Sequence, residues 1–372
     1  MRGIRQAAGL TLFLITLSTL LILVNFRQKL LSDGGVYIAS ELNSHLQTDR
    51  IQNNKGRIVD RDNLAWPARQ SKSMDMLLQW KSQEDAKNMY DSLYDLLYDR
   101  NYGIANLKSL ELLGMHKGVF NAKDGISALY TKKGNDIYIT VSGVFNEALY
   151  KAIKTSDAES GEAVLINYET GEILGWTSFP PGSLSSRVQR LYNKNNTIEA
   201  LMSDRVTYIS TIANNAKTCR PYIISRIISR EDNVIIENTN PENPKYLEST
   251  IINITPAEAL NLKTFMKSVC GENGLAADLG SNMKKKGFTA AADIGFEEIP
   301  QNAEYLNENV IKINMRTVSW ISCFLEEKPF ALVVELQNVK KSSIVIKIAG
   351  EILQRAIDLN LDSPQFLDGY DE

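Results

Sequence analysis

The stretch that decides the fold is GEAVLINYETGEILGWTSFPP, residues Gly161–Pro181. Two runs rich in β-branched, aliphatic and aromatic residues flank Glu169-Thr170-Gly171-Glu172. A glycine-containing turn between two such runs is typical of a β-hairpin. We therefore predict two antiparallel strands here, in a sheet completed by strands further along the chain.

Hydrophobic periodicity predicts the other elements on both sides of this hairpin. In chain order these are a helix over Ser82–Tyr98, a strand and helix over Asp136–Leu149, a helix over Thr197–Asn214, a hairpin of Tyr222–Ile228 with Asn233–Asn238, a helix from Thr255 to Cys270, strands at Gly287–Ile294, Thr317–Leu325 and Phe330–Leu336, and a last helix capped by Ser342 or Ser343. The helix at Thr255 has the strongest signal, because Thr255-Pro256-Ala257-Glu258 is a capping box with proline at the first helical position. An α+β fold with a five-stranded antiparallel sheet and helices on its faces accommodates this pattern.

Several segments, in this order, resemble the class B penicillin-binding proteins. They are KGRIVDRDN at Lys55–Asn63, DIYITVSGVFNEAL at Asp136–Leu149, the hairpin Gly161–Pro181, and the segments Ile209–Ile224, Arg316–Gln337 and Ser342–Ile357. The resemblance implies a cytoplasmic tip and membrane anchor over residues 1–30, an elongated non-catalytic pedestal over 31–160, and a truncated transpeptidase-like domain over 161–372. It also implies that the bulk of the chain lies outside the cytoplasm.

The N-terminal segment has the composition of a membrane-spanning helix. Residues Gln6–Phe26 carry no charge between Arg5 and Arg27, and this run is long enough to cross a bilayer. A cleaved signal peptide is the alternative, but no small-x-small cleavage site follows the run, which favours a single uncleaved anchor.

Composition excludes several classes of function. The formal net charge of −3 does not favour nucleic acid as a partner. The three cysteines, Cys219, Cys270 and Cys323, are widely spaced and indicate buried thiols rather than a disulfide framework. The two histidines, His45 and His116, are too few for a zinc site or a Ser-His-Asp triad. We expect neither a metal nor a cofactor.

The motif that carries the nucleophilic serine in the resembled family lacks its basic residue in this chain. That family uses Ser-x-x-Lys, Ser-x-Asn and Lys-Thr-Gly, in which the lysine takes the hydroxyl proton of the serine. Pro180-Pro181-Gly182-Ser183 resembles the approach to the first motif, but Ser186 stands where the lysine should be. The guanidinium of the nearby Arg187 stays protonated and cannot serve as the base. Ser183 is therefore a weak catalytic candidate.

The other two motifs are also absent. Ser-x-Asn occurs nowhere in the chain, and Lys286-Gly287-Phe288-Thr289-Ala290 resembles a decayed Lys-Thr-Gly-Thr-Ala element. Lys286 and Thr289 are weak substrate-binding candidates, since a lysine run at this position could attract a carboxylate. A solvated charge run is the alternative explanation.

One formal Ser-x-x-Lys motif remains, Ser281-Asn282-Met283-Lys284. We expect it in a loop that enters the strand at Gly287, where a four-residue pattern of common residues arises easily by chance. Ser281 and Lys284 are therefore weak catalytic candidates as well.

The spacing gives independent support for lost chemistry. Only a short linker separates Pro181 from the helix predicted at Thr197, whereas active relatives carry a large helical subdomain with the nucleophile there. We therefore expect a pseudoenzyme that acts as a binding or scaffold component in peptidoglycan synthesis, division or sporulation. Expected partners are a membrane glycan polymerase or other membrane proteins of division, elongation or sporulation, and peptidoglycan stem peptides. The rivals are an active D,D-transpeptidase with a non-standard serine site, and a sensor that binds muropeptides without reacting.

Overall fold

The computed structural model describes residues 16–28, 56–66, 83–98, 103–112, 134–182, 203–228, 234–237, 254–307, 310–339, 341 and 343–363. The helices are α1 (16–28), α2 (Gln83–Tyr98), α3 (Ile104–Leu107), α4 (Ser109–Leu112), α5 (Gly143–Lys154), α6 (Ser203–Ala213), α7 (Pro256–Val269), α8 (Ala277–Lys284) and α9 (Ile344–Asp358). The strands are β1 (Ile58–Val59), β2 (Ala65–Trp66), β3 (Asp136–Ile139), β4 (Ser160–Asn167), β5 (Ile173–Phe179), β6 (Ile224–Ile228), β7 (Val234–Glu237), β8 (Ala290–Asn307), β9 (Val310–Leu325) and β10 (Phe330–Gln337).

The second of the two sheets confirms the predicted five-stranded antiparallel arrangement. Its strand order is β5-β4-β10-β9-β8, and every neighbouring pair is antiparallel. The hairpin predicted at Gly161–Pro181 supplies β4 and β5. In the strand order, β5 and β8 are the two edge strands of the sheet. Glycine is needed at the hairpin turn, because Gly171 has a φ of +85°.

Helices cover both faces of this sheet. The back face packs against α5, α8 and α9 through a cluster that includes Phe145, Leu279 and Ile348. The front face packs against α6 and α7 through a second cluster that includes Ile209 and Met266. The alternation of apolar side chains along the strands supplies both clusters, so the sheet is buried on each side.

The first sheet has the order β2-β1-β3-β6-β7, with β1 and β3 parallel. Strands β6 and β7 come from the region predicted as part of the transpeptidase-like domain, yet β6 pairs with β3 from the predicted pedestal. The two sheets are also tied directly, since the Thr140 hydroxyl donates to the carbonyl of Ile173 at 2.7 Å. The predicted boundary at residue 160 is therefore crossed by strand pairing.

Side-chain contacts of Arg61, in the turn between β1 and β2, reach the residues that follow α9. Arg61, whose side chain is 6% exposed, donates to the carbonyl oxygens of Leu361 at 3.1 Å and of Ser363 at 2.6 Å. Its guanidinium also lies 3.6 Å from the carboxylate of Glu172, in the turn between β4 and β5. Asp62 accepts from the amide of Val144 at 2.9 Å, which places a negative charge at the N-terminus of α5.

Several element predictions are confirmed and others need correction. The capping box of Thr255 and Glu258 is present at the start of α7, as predicted. Residues 277–284 form the helix α8, where a loop was predicted. Strand β8 runs to Asn307, well beyond the predicted end at Ile294. The last helix begins as expected, but Ser343 makes no side-chain capping bond.

Helix α1 is exposed along its whole described length. Within the described residues, no helix combines the length and the apolar character that a bilayer crossing requires. The predicted span, Gln6–Phe26, lies only partly within these residues.

Candidate functional site

The start of β8, where the sequence predicts the substrate-binding residues, lies at one corner of the second sheet. The amide of Thr289 donates to Oε2 of Glu327 and the Thr289 hydroxyl donates to Oε1 of the same carboxylate, each at 2.7 Å. Glu327 belongs to the turn between β9 and β10, directly beside Thr289. Both donors of Thr289 are therefore occupied by a carboxylate of the chain itself.

The lysine run lies next to this corner. Lys284, Lys285 and Lys286 are exposed, and they lead through Gly287, whose φ is +84°, into β8. In the described part of the chain none of the three forms an ion pair. Lys286 and Thr289 thus lie near each other at an exposed corner, as their spacing requires, but Thr289 already binds Glu327.

Ser281 and Lys284 are on the wrong side of the sheet for a front-face cleft. Helix α8 packs its Leu279 and Met283 into the back-face cluster. Ser281 and Lys284 are both exposed. A lysine that activates a serine is usually buried beside it, whereas Lys284 lies exposed on the surface.

Ser183 lies outside the described residues, but the turn that leads to it is placed. Gly182 donates its amide to Oδ1 of Asp95 on α2 at 2.5 Å, and the Ser178 hydroxyl donates to the other oxygen of Asp95. Sequence reasoning missed Asp95, since an acidic residue on an amphipathic helix carries no signal of its own.

This turn and the start of β8 occupy diagonal corners of the sheet. Four interstrand spacings of about 4.8 Å separate β5 from β8, which gives about 19 Å across the sheet. The register places Phe179 at the level of Phe296, seven residues from Thr289, which adds about 24 Å along the strands. Phe179, where this turn begins, is thus roughly 30 Å from Thr289 by these spacings, too far for the two corners to belong to one catalytic centre.

Helix α6 fills the front of the sheet between these corners. Its Ile209 and Ile212 are fully buried against the apolar front-face side chains of β4, β9 and β10, including Val164 and Val333. Near the first turn of α6, the guanidinium of Arg205 stacks on the ring of Trp320 with 3.9 Å to the centroid. No sequence pattern predicted this pair, because the two residues are distant in the chain.

Titratable groups on the front face are perturbed mainly by burial. Burial raises the pKa of Asp293, although a hydrogen bond from the backbone amide of Ile294 and the charge of Arg205 act in the opposite direction. Burial lowers the pKa of Lys263 on α7, whose ammonium group donates to the side-chain oxygen of Asn215 at 2.7 Å. The hydrogen-bond partner of Lys263 is a side-chain amide, not a hydroxyl that it could activate.

The described residues offer no serine or threonine hydroxyl that is hydrogen-bonded to a lysine. Glu327, the residue that occupies the predicted substrate-binding corner, lies in the turn between β9 and β10, and no sequence motif marked it. Its proximity to the decayed motif follows from the pairing of β8 with β9. That register was the signal that could have revealed it.

No protein-family model matches the sequence, and no curated protein matches it by sequence. Solved structures do match. Penicillin-binding protein A from Mycobacterium tuberculosis, as an imipenem acyl-enzyme complex, superposes with a TM-score of 0.54 at 11% identity, covering 83% of this chain and 99% of that one. A peptidoglycan synthetase from Bifidobacterium adolescentis gives 0.52 at 12% identity, covering 82% and 95%. A D,D-transpeptidase domain from Eggerthella lenta gives 0.51 at 11% identity, covering 82% and 99%.

These matches cover 82–83% of this chain and 95–99% of each relative. At these identities it shows the fold. The chain is thus a divergent protein with the fold of the penicillin-binding transpeptidases.

Proposed function

We propose that this protein is a membrane-anchored pseudoenzyme of the penicillin-binding type, which acts as a binding or scaffold component of peptidoglycan synthesis, cell division or sporulation. The observation that carries the proposal is that Thr289, at the decayed Lys-Thr-Gly position, is occupied by a carboxylate of the chain itself. Its amide and its hydroxyl each donate to Glu327 at 2.7 Å.

The chemistry required for acyl transfer supports the same conclusion. A serine needs a neutral base beside it and amide donors positioned for the oxyanion. Ser281 and Lys284 are exposed behind the sheet. The turn before Ser183 is roughly 30 Å from Thr289 by the strand spacing and rise. A fold that is retained while its candidate catalytic residues lie far apart favours a binding role over a catalytic one.

Anchoring and partners follow from the sequence. Residues Gln6–Phe26 would form a single membrane span, with the two sheets outside the cytoplasm of a bacterial cell. The span and the first sheet would contact a membrane glycan polymerase or another membrane protein of division, elongation or sporulation. The second sheet would offer a docking surface for a protein or for stem peptides.

Labelling with a fluorescent penicillin tests the proposal. The full chain in detergent should form no covalent adduct under conditions in which an active penicillin-binding protein is labelled to completion. A covalent band would favour the rival, an active D,D-transpeptidase with a non-standard serine. Loss of that band in S183A but not in S281A, or the reverse, would identify the nucleophile.

A further inference from the structure

A groove of about 870 Å³ lies between α8 and α9, on the back of the second sheet. Its floor contains Leu279 and Met283 of α8, which also belong to the back-face cluster, and Leu275 at its rim is 79% exposed. Helix α9 lines the other side with residues between 343 and 354. A Cβ at Gly350 would lie only 3.6 Å from Cδ1 of Leu279, so the two helices nearly touch there. The groove therefore has an apolar floor and an exposed apolar rim.

The charges around the groove favour an anionic occupant. Its lining contains four lysines, namely Lys285, Lys286, Lys341 and Lys347. Lys347 pairs with Glu351 at 3.7 Å, whereas the other three form no ion pair with any described residue. Two further carboxylates line the groove, Asp157 and Asp278. Asp278 lies in the first turn of α8, where a negative charge stabilises the helix. Three ammonium groups are thus left without a counter-ion.

The chain beyond Ser363 has the complementary chemistry. Residues 364–372 lie outside the described residues and read Pro-Gln-Phe-Leu-Asp-Gly-Tyr-Asp-Glu. This segment carries three carboxylates and no cation, and it also carries three large apolar or aromatic residues, Phe366, Leu367 and Tyr370. An acidic segment with apolar side chains suits a groove that combines an apolar floor with lysines.

The segment starts close enough to reach the groove. Ser363 lies five residues beyond the end of α9, and its carbonyl is held by Arg61 at 2.6 Å. The α9 side of the groove runs from Gln354 back to Ile344, about 15 Å at a rise of 1.5 Å per residue. Nine extended residues span about 30 Å. A segment that enters beside Gln354 would bring its apolar residues to the groove first and its last carboxylates towards Lys341.

We propose that residues 364–372 occupy the groove between α8 and α9 as an intrachain strap. In this arrangement Phe366 and Leu367 lie against the apolar floor, and Asp371 and Glu372 lie beside the lysines near the start of α9. A tethered segment acts at an effective concentration of about millimolar, so weak contacts are enough to hold it in place. The inference is independent of the proposed function, and penicillin labelling does not test it.

Zero-length cross-linking with a carbodiimide in the full chain tests the contact, because this reagent joins a lysine to a carboxylate that touches it. We expect mass spectrometry to find Asp371 or Glu372 joined to Lys341 or Lys347. The ion pairs Lys267–Glu326 at 2.8 Å and Lys328–Asp362 at 2.5 Å serve as positive controls. Lys284 is the negative control, since it is exposed beside the groove but does not line it.

Two cross-linking results would overturn the inference. The first is the absence of the expected links while the control pairs react, or links to Lys284 as frequent as those to the groove lysines. The second is found by mixing ¹⁵N-labelled and unlabelled chains: links that join only labelled to unlabelled peptides would place the segment of a second copy in the groove.

A spin label measures how firmly the segment is held. The three native cysteines are buried, so a nitroxide attached to Y370C reports on this position. We expect an immobilised spectrum, and the double variant K341E with K347E should lower the ratio of immobilised to mobile label about tenfold. The matched control K284E should leave the ratio unchanged. A fully mobile label in the Y370C chain, or a ratio that the double variant does not change, would refute the strap.

Discussion

The buried carboxyl of Asp60 should make the stability of this protein fall as the pH rises. Asp60 is fully buried, and it accepts from the amides of Asp62 at 2.9 Å and Leu64 at 2.8 Å and from the indole of Trp66 at 2.8 Å. Burial, together with the charge of Asp62, outweighs these donors and raises the pKa of Asp60 from 3.8 to about 7. The folded protein therefore keeps this proton over a range in which the unfolded chain loses it.

The sign and size of the effect follow from linkage. Below pH 4 the carboxyl is protonated in both states, so its full contribution to stability is present. Between pH 4 and pH 7 the carboxyl ionises in the unfolded chain but not in the folded protein. Ionisation lowers the free energy of the unfolded chain, so the free energy of unfolding declines. At about 1.4 kcal/mol for each pH unit, the loss approaches about 4 kcal/mol and then levels off above pH 7.

D60N removes the titration and should flatten this part of the profile. The free energy of unfolding, measured by urea denaturation of the full chain in detergent at pH 4.5 and pH 7.5, should differ less between the two pH values in D60N than in the wild type. The control W66F keeps the carboxyl and should not flatten the profile, because loss of the indole donor raises the pKa of Asp60 further. The raised pKa values of Asp91 and Asp293, which are due first to burial, leave a residual slope in every variant. If D60N retained the full wild-type slope, the assignment to Asp60 would be refuted.

Packing predictions follow from two glycines and one aromatic residue. G295A should cost about 1–3 kcal/mol of unfolding free energy by denaturant titration, because its Cβ would lie 2.2 Å from the ring of Trp320. G350A, whose nearest neighbour would be 3.6 Å away in helix α9, should be neutral or stabilising, and equal effects at both glycines would contradict the packing argument. F145A empties a fully buried position and should cost about 3–5 kcal/mol; a loss below 1 kcal/mol would show that the back face does not depend on it.

Short sequence motifs at the ends of elements, such as turn glycines and helix caps, correctly predicted the elements that they bound. The turn at Gly171 and the capping box at Thr255 are each readable within four residues, and both are present in the structure. Helix α8 was missed because its N-cap, Ala276, makes no side-chain capping bond and so leaves no signature. The predicted strand ended at Ile294, whereas β8 continues through Pro300, a residue that is tolerated there because β8 is an edge strand.

The sequence did not predict which strands pair with each other when they are distant in the chain. The assignment of β6 to the first sheet depends on its pairing with β3, and hydrophobic alternation does not specify a partner strand. The contact of Thr289 with Glu327 has the same origin, since it joins residues on separate strands through the register of β8 and β9. Sequence reasoning could therefore identify lost motifs, but not the side chain that occupies the vacated corner.

The tie between Arg61 and the residues that follow α9 has a consequence for synthesis of the protein. A guanidinium near the beginning of the chain takes its acceptors from Leu361 and Ser363, about three hundred residues later. Until those residues emerge from the ribosome, this guanidinium lacks the two backbone acceptors of its final buried site. Closure of the first sheet should therefore be a late event in folding, and fragments that stop before Leu361 should aggregate or be degraded.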